Sequence, residues 1–131
     1  MLRRLVCVPL LLAVVTLGGC ATFTNPVDSV DMYRVKSVYA ATLQAAVSYR
    51  RYCYARPYRD LMKDPVARPV CANRRAVILA AQKHEPKANG AIVAADNFVR
   101  NNPTISAATA VGAAWRAVSD FRAAVPAVPG S

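Results

Sequence analysis

The sequence predicts an all-α fold: a small antiparallel bundle of three to four helices, stapled by a disulfide. Alanine, valine and leucine are abundant and glycine is sparse, a composition typical of helices. Apolar residues recur at steps of three and four positions through residues 29–125, which we take as the helical domain. Most prolines lie between these apolar runs, where they separate helices rather than interrupt them.

The first helix is predicted to run from Ser29 to Arg56. It ends there because the residue before a proline, here Pro57, is disfavoured in helical conformation. Its buried face is marked by apolar and aromatic residues at helical spacing, which are Val35, Val38, Thr42, Ala45, Tyr49 and Tyr52.

Residues 57–70 contain three prolines and predict a loop, with one helical turn at 58–63. The second helix is expected to begin within residues 70–73 and to stop at Asn101. Pro86 lies inside it, and the sequence leaves open whether the helix kinks there or breaks in two.

The third helix has a start signal at Asn102 and Pro103. Asparagine is a good N-cap, and proline suits the first helical position. The helix is expected to end before Pro126, and residues 126–131 are predicted to form a flexible tail.

Residues 1–20 have the order of a secretion signal. Arg3 and Arg4 precede an apolar run over residues 5–17, which is shorter than the about 20 residues that a membrane-spanning helix needs. The run ends in Leu-Gly-Gly-Cys at 17–20, which resembles the lipobox of bacterial lipoproteins. The resemblance implies that residues 1–19 are a lipoprotein signal peptide. It further implies that Cys20 carries the acyl chains and that residues 20–28 form a lipidated tether.

The resemblance also bears on location. In that family an Asp directly after the lipidated cysteine favours the inner membrane, and this chain has Ala21 instead. We therefore expect an anchor in the outer membrane and a domain that faces the periplasm. The alternative is a retained transmembrane or ordinary secretory segment in which Cys20 is incidental.

Cys53 and Cys71 are the two cysteines beyond this leader. In an oxidising compartment an even pair predicts a disulfide. The alternative is a zinc site formed with His84, but the spacing fits no short-spaced ligand pair, so no metal site is predicted.

Few residues are suited to catalysis. The chain has one histidine, His84, and one glutamate, Glu85, at a predicted helix kink. A nucleophile, a base and an orienting acid in mutual reach are not indicated. We predict no enzyme activity, no catalytic residue and no cofactor.

Arginines and tyrosines are concentrated between residues 49 and 75. With the lipid at the start of the first helix, this basic tip would lie far from the anchored membrane and suit an anionic partner. Peptidoglycan, an anionic lipid surface or an acidic envelope protein has that chemistry, whereas nucleic acid is not expected there. The predicted binding residues are Arg50, Arg51, Arg56, Arg59, Arg74 and Arg75. The alternative is that the tyrosines only pack the bundle end while the arginines solvate it.

Several loose motifs follow the leader: Asn-Pro-Val at 25–27, Tyr33, the Tyr52-Cys53 pair, and Phe-Val-Arg-Asn-Asn at 98–102. In this layout the chain resembles small uncharacterised lipoproteins of proteobacteria and prophages. The resemblance implies a helical fold, a lipid anchor and a disulfide, and it supplies no activity. We expect a non-enzymatic envelope lipoprotein that binds or bridges. The alternative is a phage-type lysis or membrane-bridging component that resembles the outer-membrane spanins.

Overall fold

The computed structural model describes residues 26–129 of the chain. These residues form five helices and no strand, which confirms the predicted all-α bundle. The predicted signal peptide and the lipid-attachment residue Cys20 lie outside the described residues. The helices are α1 (Pro26–Tyr54), α2 (Tyr58–Lys63), α3 (Ala67–Cys71), α4 (Arg74–Asn101) and α5 (Ala108–Ala123).

Helices α1, α4 and α5 are long and pack against one another in an up-down-up arrangement. Their facing sides carry mainly alanine and valine, so the helices approach closely, and Phe121 supplies bulk at the centre. Thr42 is the buried polar residue of α1, and its hydroxyl donates to the Val38 carbonyl at 2.8 Å. The main core consists of Met32, Val35, Ala81, Ala88, Ile92, Ala95, Ala107, Val111, Ala114, Val118 and Phe121.

A second, smaller cluster lies at the end of the bundle where α1 stops. We call it the tip cluster, and its fully buried members are Tyr49, Cys53, Leu61, Ala67 and Cys71. The predicted disulfide between Cys53 and Cys71 is confirmed, with 5.4 Å between the two Cα atoms. It links the end of α1 to the end of α3. It therefore holds the segment between these two residues, which contains α2 and α3 and which we call the α2–α3 excursion, against the bundle.

Helix α4 continues through Pro86 without a break. Pro86 is exposed, so its ring meets solvent rather than a neighbouring helix. The bundle therefore has three long helices, and α2 and α3 are short additions to it. The turn predicted at 58–63 is α2, whereas α3 was predicted as loop.

The predicted start of the third helix at Asn102 and Pro103 is wrong. Helix α5 begins at Ala108, and the Asn102 side-chain amide instead donates to the Phe98 carbonyl at 3.0 Å, at the end of α4. Near the true start, the Ser106 hydroxyl accepts from the Ala108 N–H at 3.4 Å.

The segment after α5 continues along the bundle toward the tip cluster. Val125 packs against the main core, and Val128 packs against the tip cluster. The mobility predicted for residues 126–131 stays a prediction. Within residues 26–129, no helix has the length and apolar character needed to cross a bilayer.

Candidate functional site at the basic tip

The end of α1, the α2–α3 excursion and the start of α4 meet at one end of the bundle. We call this end the basic tip. The disulfide closes the excursion between residues 18 positions apart, so the arginines that end α1 and those that begin α4 come to the same end of the molecule. The exposed tip residues include Tyr54 and Tyr58.

Arg74 is the best-fixed cation of the tip. Its Nη1 donates to the Cys53 carbonyl at 2.6 Å. Its guanidinium carbon lies 4.4 Å from the centre of the Tyr54 ring and 4.8 Å from that of Tyr58. Cation–π contacts with both rings, together with the hydrogen bond, hold the guanidinium in one orientation.

Tyr58 also connects α2 to the start of α4. Its hydroxyl donates to the Ala72 carbonyl at 3.3 Å, and its side chain is 45% exposed. Beside it lies an open depression of about 530 Å³, and no carboxylate lines it. The lining residues are Tyr58, Ala72, Asn73, Arg74, Arg75, Ala76 and Leu79.

Arg56 has an internal partner. Both of its terminal nitrogens lie 3.3 Å from Asp64 Oδ2. The other Asp64 oxygen accepts from the Val66 and Ala67 N–H groups at 2.9 and 3.0 Å, at the start of α3. These backbone hydrogen bonds, with Arg56 as a smaller contribution, hold the pKa of Asp64 below its usual range. The charge of Arg56 is therefore paired with Asp64 inside the α2–α3 excursion.

The other predicted arginines are exposed. Arg51, Arg59 and Arg75 make no ion pair within the described part of the chain. Arg50 lines a separate groove between α1 and α4, with Val47 among its neighbours. The structure thus brings Arg74 and Arg75 together in one depression and places Arg50 apart from them.

The tyrosines of the tip differ in role. Tyr49 is fully buried, and its hydroxyl donates to the Val70 carbonyl at 3.1 Å. Burial raises the pKa of Tyr49, the nearby Tyr54 adds to this, and the positive charge of Arg74 opposes it. Tyr49 is a packing residue, whereas Tyr54 and Tyr58 expose about half of their side chains, 48% and 45%.

Leu79 and Asn73 belong to the depression but were not predicted as site residues. Leu79 follows Arg75 by four positions, so helical spacing alone places the two side chains on one face of α4. Leu79 is 56% exposed and adds an apolar side chain to the lining of the depression.

The zinc alternative has no support from the geometry. Cys53 and Cys71 are bonded to each other, so neither sulfur is available to a metal ion. Within residues 26–129, no three His, Cys, Asp or Glu side chains are grouped closely enough to hold one. Glu85 is engaged by the Tyr39 hydroxyl at 2.6 Å.

Comparison of the chain with protein-family models, with curated proteins and with solved structures finds no match.

Proposed function

We propose that the protein is a non-enzymatic lipoprotein of the cell envelope, anchored in the outer membrane and facing the periplasm. In this proposal residues 1–19 are removed, and Cys20 carries the lipid. The basic tip is the surface that contacts an anionic partner. The observation that supports the proposal most directly is Arg74, which contacts the rings of Tyr54 and Tyr58 beside a depression that no carboxylate lines.

The length of α1 supports this arrangement. Pro26 begins the helix close after Cys20 in the sequence, and α1 has 29 residues. At about 1.5 Å per residue the helix is about 43 Å long. The tip therefore lies at the opposite end of the bundle from Pro26, and in this proposal it reaches a partner outside the anchoring membrane.

The electrostatics of the tip also support binding. Arg51, Arg59 and Arg75 are exposed, and each contributes about 1 kcal/mol of attraction near an anionic surface. Arg74 adds a guanidinium whose orientation is set before binding, so little side-chain entropy is lost when a partner binds. Peptidoglycan, an anionic lipid surface and an acidic envelope protein all offer suitable negative groups.

The anchor is tested by the intact mass of the protein purified from membranes. We expect the mass of residues 20–131 plus acyl chains, and a Cys20→Ala variant should lack the acyl mass. A wild-type mass equal to the full unmodified chain would refute the anchor, and the proposed location would fall with it.

The role of the tip is tested by charge reversal. We compare an Arg59→Glu/Arg75→Glu variant with a Lys87→Glu/Arg116→Glu control, which makes the same charge change on exposed positions of α4 and α5. Each protein is sedimented with isolated peptidoglycan, with vesicles rich in phosphatidylglycerol, and with an acidic protein fraction from the envelope. At least one of the three should retain wild type and the control but not the tip variant. Equal binding by both variants in all three assays would refute the role of the tip.

A further inference from the structure

We propose that the depression at the start of α4 is a binding site for a phosphate monoester, with Arg74 and Arg75 as its cationic groups. The inference deepens the role proposed for the tip and rests on that role for its biological meaning. The depression has three relevant features: a guanidinium of fixed orientation, a second guanidinium that is exposed, and an apolar wall.

Arg74 provides the fixed group. Its guanidinium contacts the rings of Tyr54 and Tyr58, and one of its N–H groups donates to the Cys53 carbonyl. Its remaining N–H donors lie in the guanidinium plane, and the residue lines the depression. A planar fork of N–H groups matches the oxygens of phosphate in pairs, which a lysine cannot reproduce.

Charge matching selects the class of anion. Two guanidinium groups line the depression, and none of the lining residues is acidic. A phosphate monoester carries about −1.5 to −2 charges at neutral pH. A carboxylate or a phosphodiester carries a single negative charge and leaves one guanidinium without a counter-charge. The monoester is therefore the favoured ligand.

The wall of the depression indicates what carries the phosphate. Leu79 is 56% exposed, and the Tyr58 ring and Ala76 continue the apolar lining. The Asn73 side chain makes no capping hydrogen bond and is available to a polar substituent. A phosphate on an organic group should therefore bind more tightly than inorganic phosphate does.

The charged and titratable groups around the bound phosphate come from three helices. Arg74 and Arg75 belong to α4, Tyr58 belongs to α2, and Tyr54 of α1 lies against Arg74. Sulfate stays a dianion across the relevant pH range and would contact the same groups of the protein. A change of sulfate affinity with pH would therefore report titration of the protein, whereas a change seen with phosphate alone reports protonation of the ligand.

The site is tested by calorimetric titration of the full chain in non-ionic detergent, with inorganic phosphate, phenyl phosphate, sulfate and acetate as ligands. We expect both phosphates and sulfate to bind and acetate to bind at least about tenfold more weakly. The affinity for phenyl phosphate should fall several-fold as the pH is lowered through about 6, where the monoester dianion gains a proton. Sulfate affinity should stay constant. Acetate binding equal to that of phosphate would overturn the proposal, and so would parallel pH profiles for phosphate and sulfate.

The residues are tested by Arg74→Lys, which keeps the charge but not the fork, and by Arg75→Gln, which changes an exposed side chain. Each should weaken phenyl phosphate binding by about tenfold, and Arg116→Lys should leave it unchanged. Arg75→Gln keeps the inference falsifiable if Arg74→Lys disturbs the tip, because Arg75 makes no ion pair in the described residues. Unchanged affinity in Arg75→Gln would refute its role.

Vesicles distinguish a membrane source from a soluble one. Preference for phosphatidic acid, a monoester headgroup, over phosphatidylglycerol at equal charge indicates a lipid ligand, and no preference indicates a soluble phosphate. The two proposals can also fail separately. If charge reversal abolishes envelope binding but no phosphate binds, the site is refuted and the tip surface stands. If phosphate binds but charge reversal leaves envelope binding intact, the phosphate site stands and the role of the tip surface is refuted.

Discussion

The Tyr39 hydroxyl donates a 2.6 Å hydrogen bond to Glu85 Oε1 and so joins α1 to α4 across the main core. The Tyr39 ring also contacts Phe121, with 6.0 Å between the ring centres. Burial, and then the hydrogen bond and negative charge of Glu85, raise the pKa of Tyr39 from 10.0 to about 12.

This pKa predicts a loss of stability in alkali. The folded protein holds the Tyr39 proton more tightly than the unfolded chain, so the contribution is complete below about pH 10 and is lost as the pH rises through about 12. Tyr39→Phe should lower the free energy of unfolding by about 1 kcal/mol at neutral pH and flatten this alkaline decline. Urea unfolding between pH 8 and pH 12 measures both effects. Tyr33→Phe is the control, because Tyr33 is 75% exposed. Identical alkaline profiles for wild type and Tyr39→Phe would contradict the assignment.

Asp96 predicts a loss of stability in acid. Lys36 Nζ lies 2.5 Å from one of its oxygens, and Arg100 donates to the other at 3.0 Å. The hydrogen bond from Lys36 is the largest cause that holds the pKa of Asp96 below its usual range, and the charges of Lys36 and Arg100 add to it. The stabilisation is therefore present above the unfolded pKa of 3.8 and is lost as the pH falls through the folded value.

Asp96→Asn should consequently show a smaller fall in unfolding midpoint than wild type when the pH is lowered from about 5 to about 2. Thermal unfolding followed by circular dichroism measures the midpoints. Asp120→Asn is the matched control, since Asp120 is exposed and forms no ion pair in the described part of the chain. The same acid sensitivity in wild type and Asp96→Asn would show that the Lys36 contact does not stabilise the fold.

The disulfide should stabilise the tip more than the bundle. Helices α2 and α3 pack mainly on each other and on α1, and the tip cluster that holds them is small. A Cys53→Ala/Cys71→Ala variant should lose at most about 3 kcal/mol in unfolding free energy, yet keep its helical circular dichroism. Trypsin should cut the variant faster after the exposed residues Arg59 and Lys63. Mass spectrometry of the early fragments identifies the sites. Equal cleavage rates with and without the disulfide would show that the excursion is held by other contacts.

Replacing Pro86 with alanine should stabilise the protein. Pro86 lies inside α4 and is exposed, and it has no N–H to donate to the Gln82 carbonyl one turn earlier. Pro86→Ala restores that hydrogen bond and should raise the unfolding free energy by about 2 kcal/mol. Urea unfolding measures the change, with the neighbouring exposed position Lys87→Ala as control. A lower midpoint in Pro86→Ala than in wild type would contradict this prediction.

The long helices were predictable because their apolar spacing serves a single core. Val111, Val118 and Phe121 share one face of the predicted third helix, and all three are buried in α5. The start of α5 was not predictable, because Asn102 is a good residue for either end of a helix. Its side-chain amide donates to the Phe98 carbonyl at the end of α4. The local sequence does not distinguish this role from that of an N-cap of α5.

The positive charge of the tip could be predicted from the sequence, but the contacts of its individual arginines could not. The sequence shows arginines near tyrosines without showing that Arg74 is fixed and that Arg56 pairs with Asp64. Arg74 reaches the Cys53 carbonyl across 21 positions, and that contact depends on the fold of the excursion between them. Spacing arguments within one helix do not reach such pairs.

The packing of Val128 against the tip cluster decides where labels and tags can be attached. A reporter joined directly after Pro129 begins one residue beyond Val128, so it lies at the basic tip and would compete with its partner. A reporter inserted in the exposed residues 103–105 lies at the opposite end of the bundle, about 40 Å away along α4. Pull-down experiments with a C-terminal tag are therefore expected to underestimate binding, and an insertion in that loop is the suitable attachment point for partner capture.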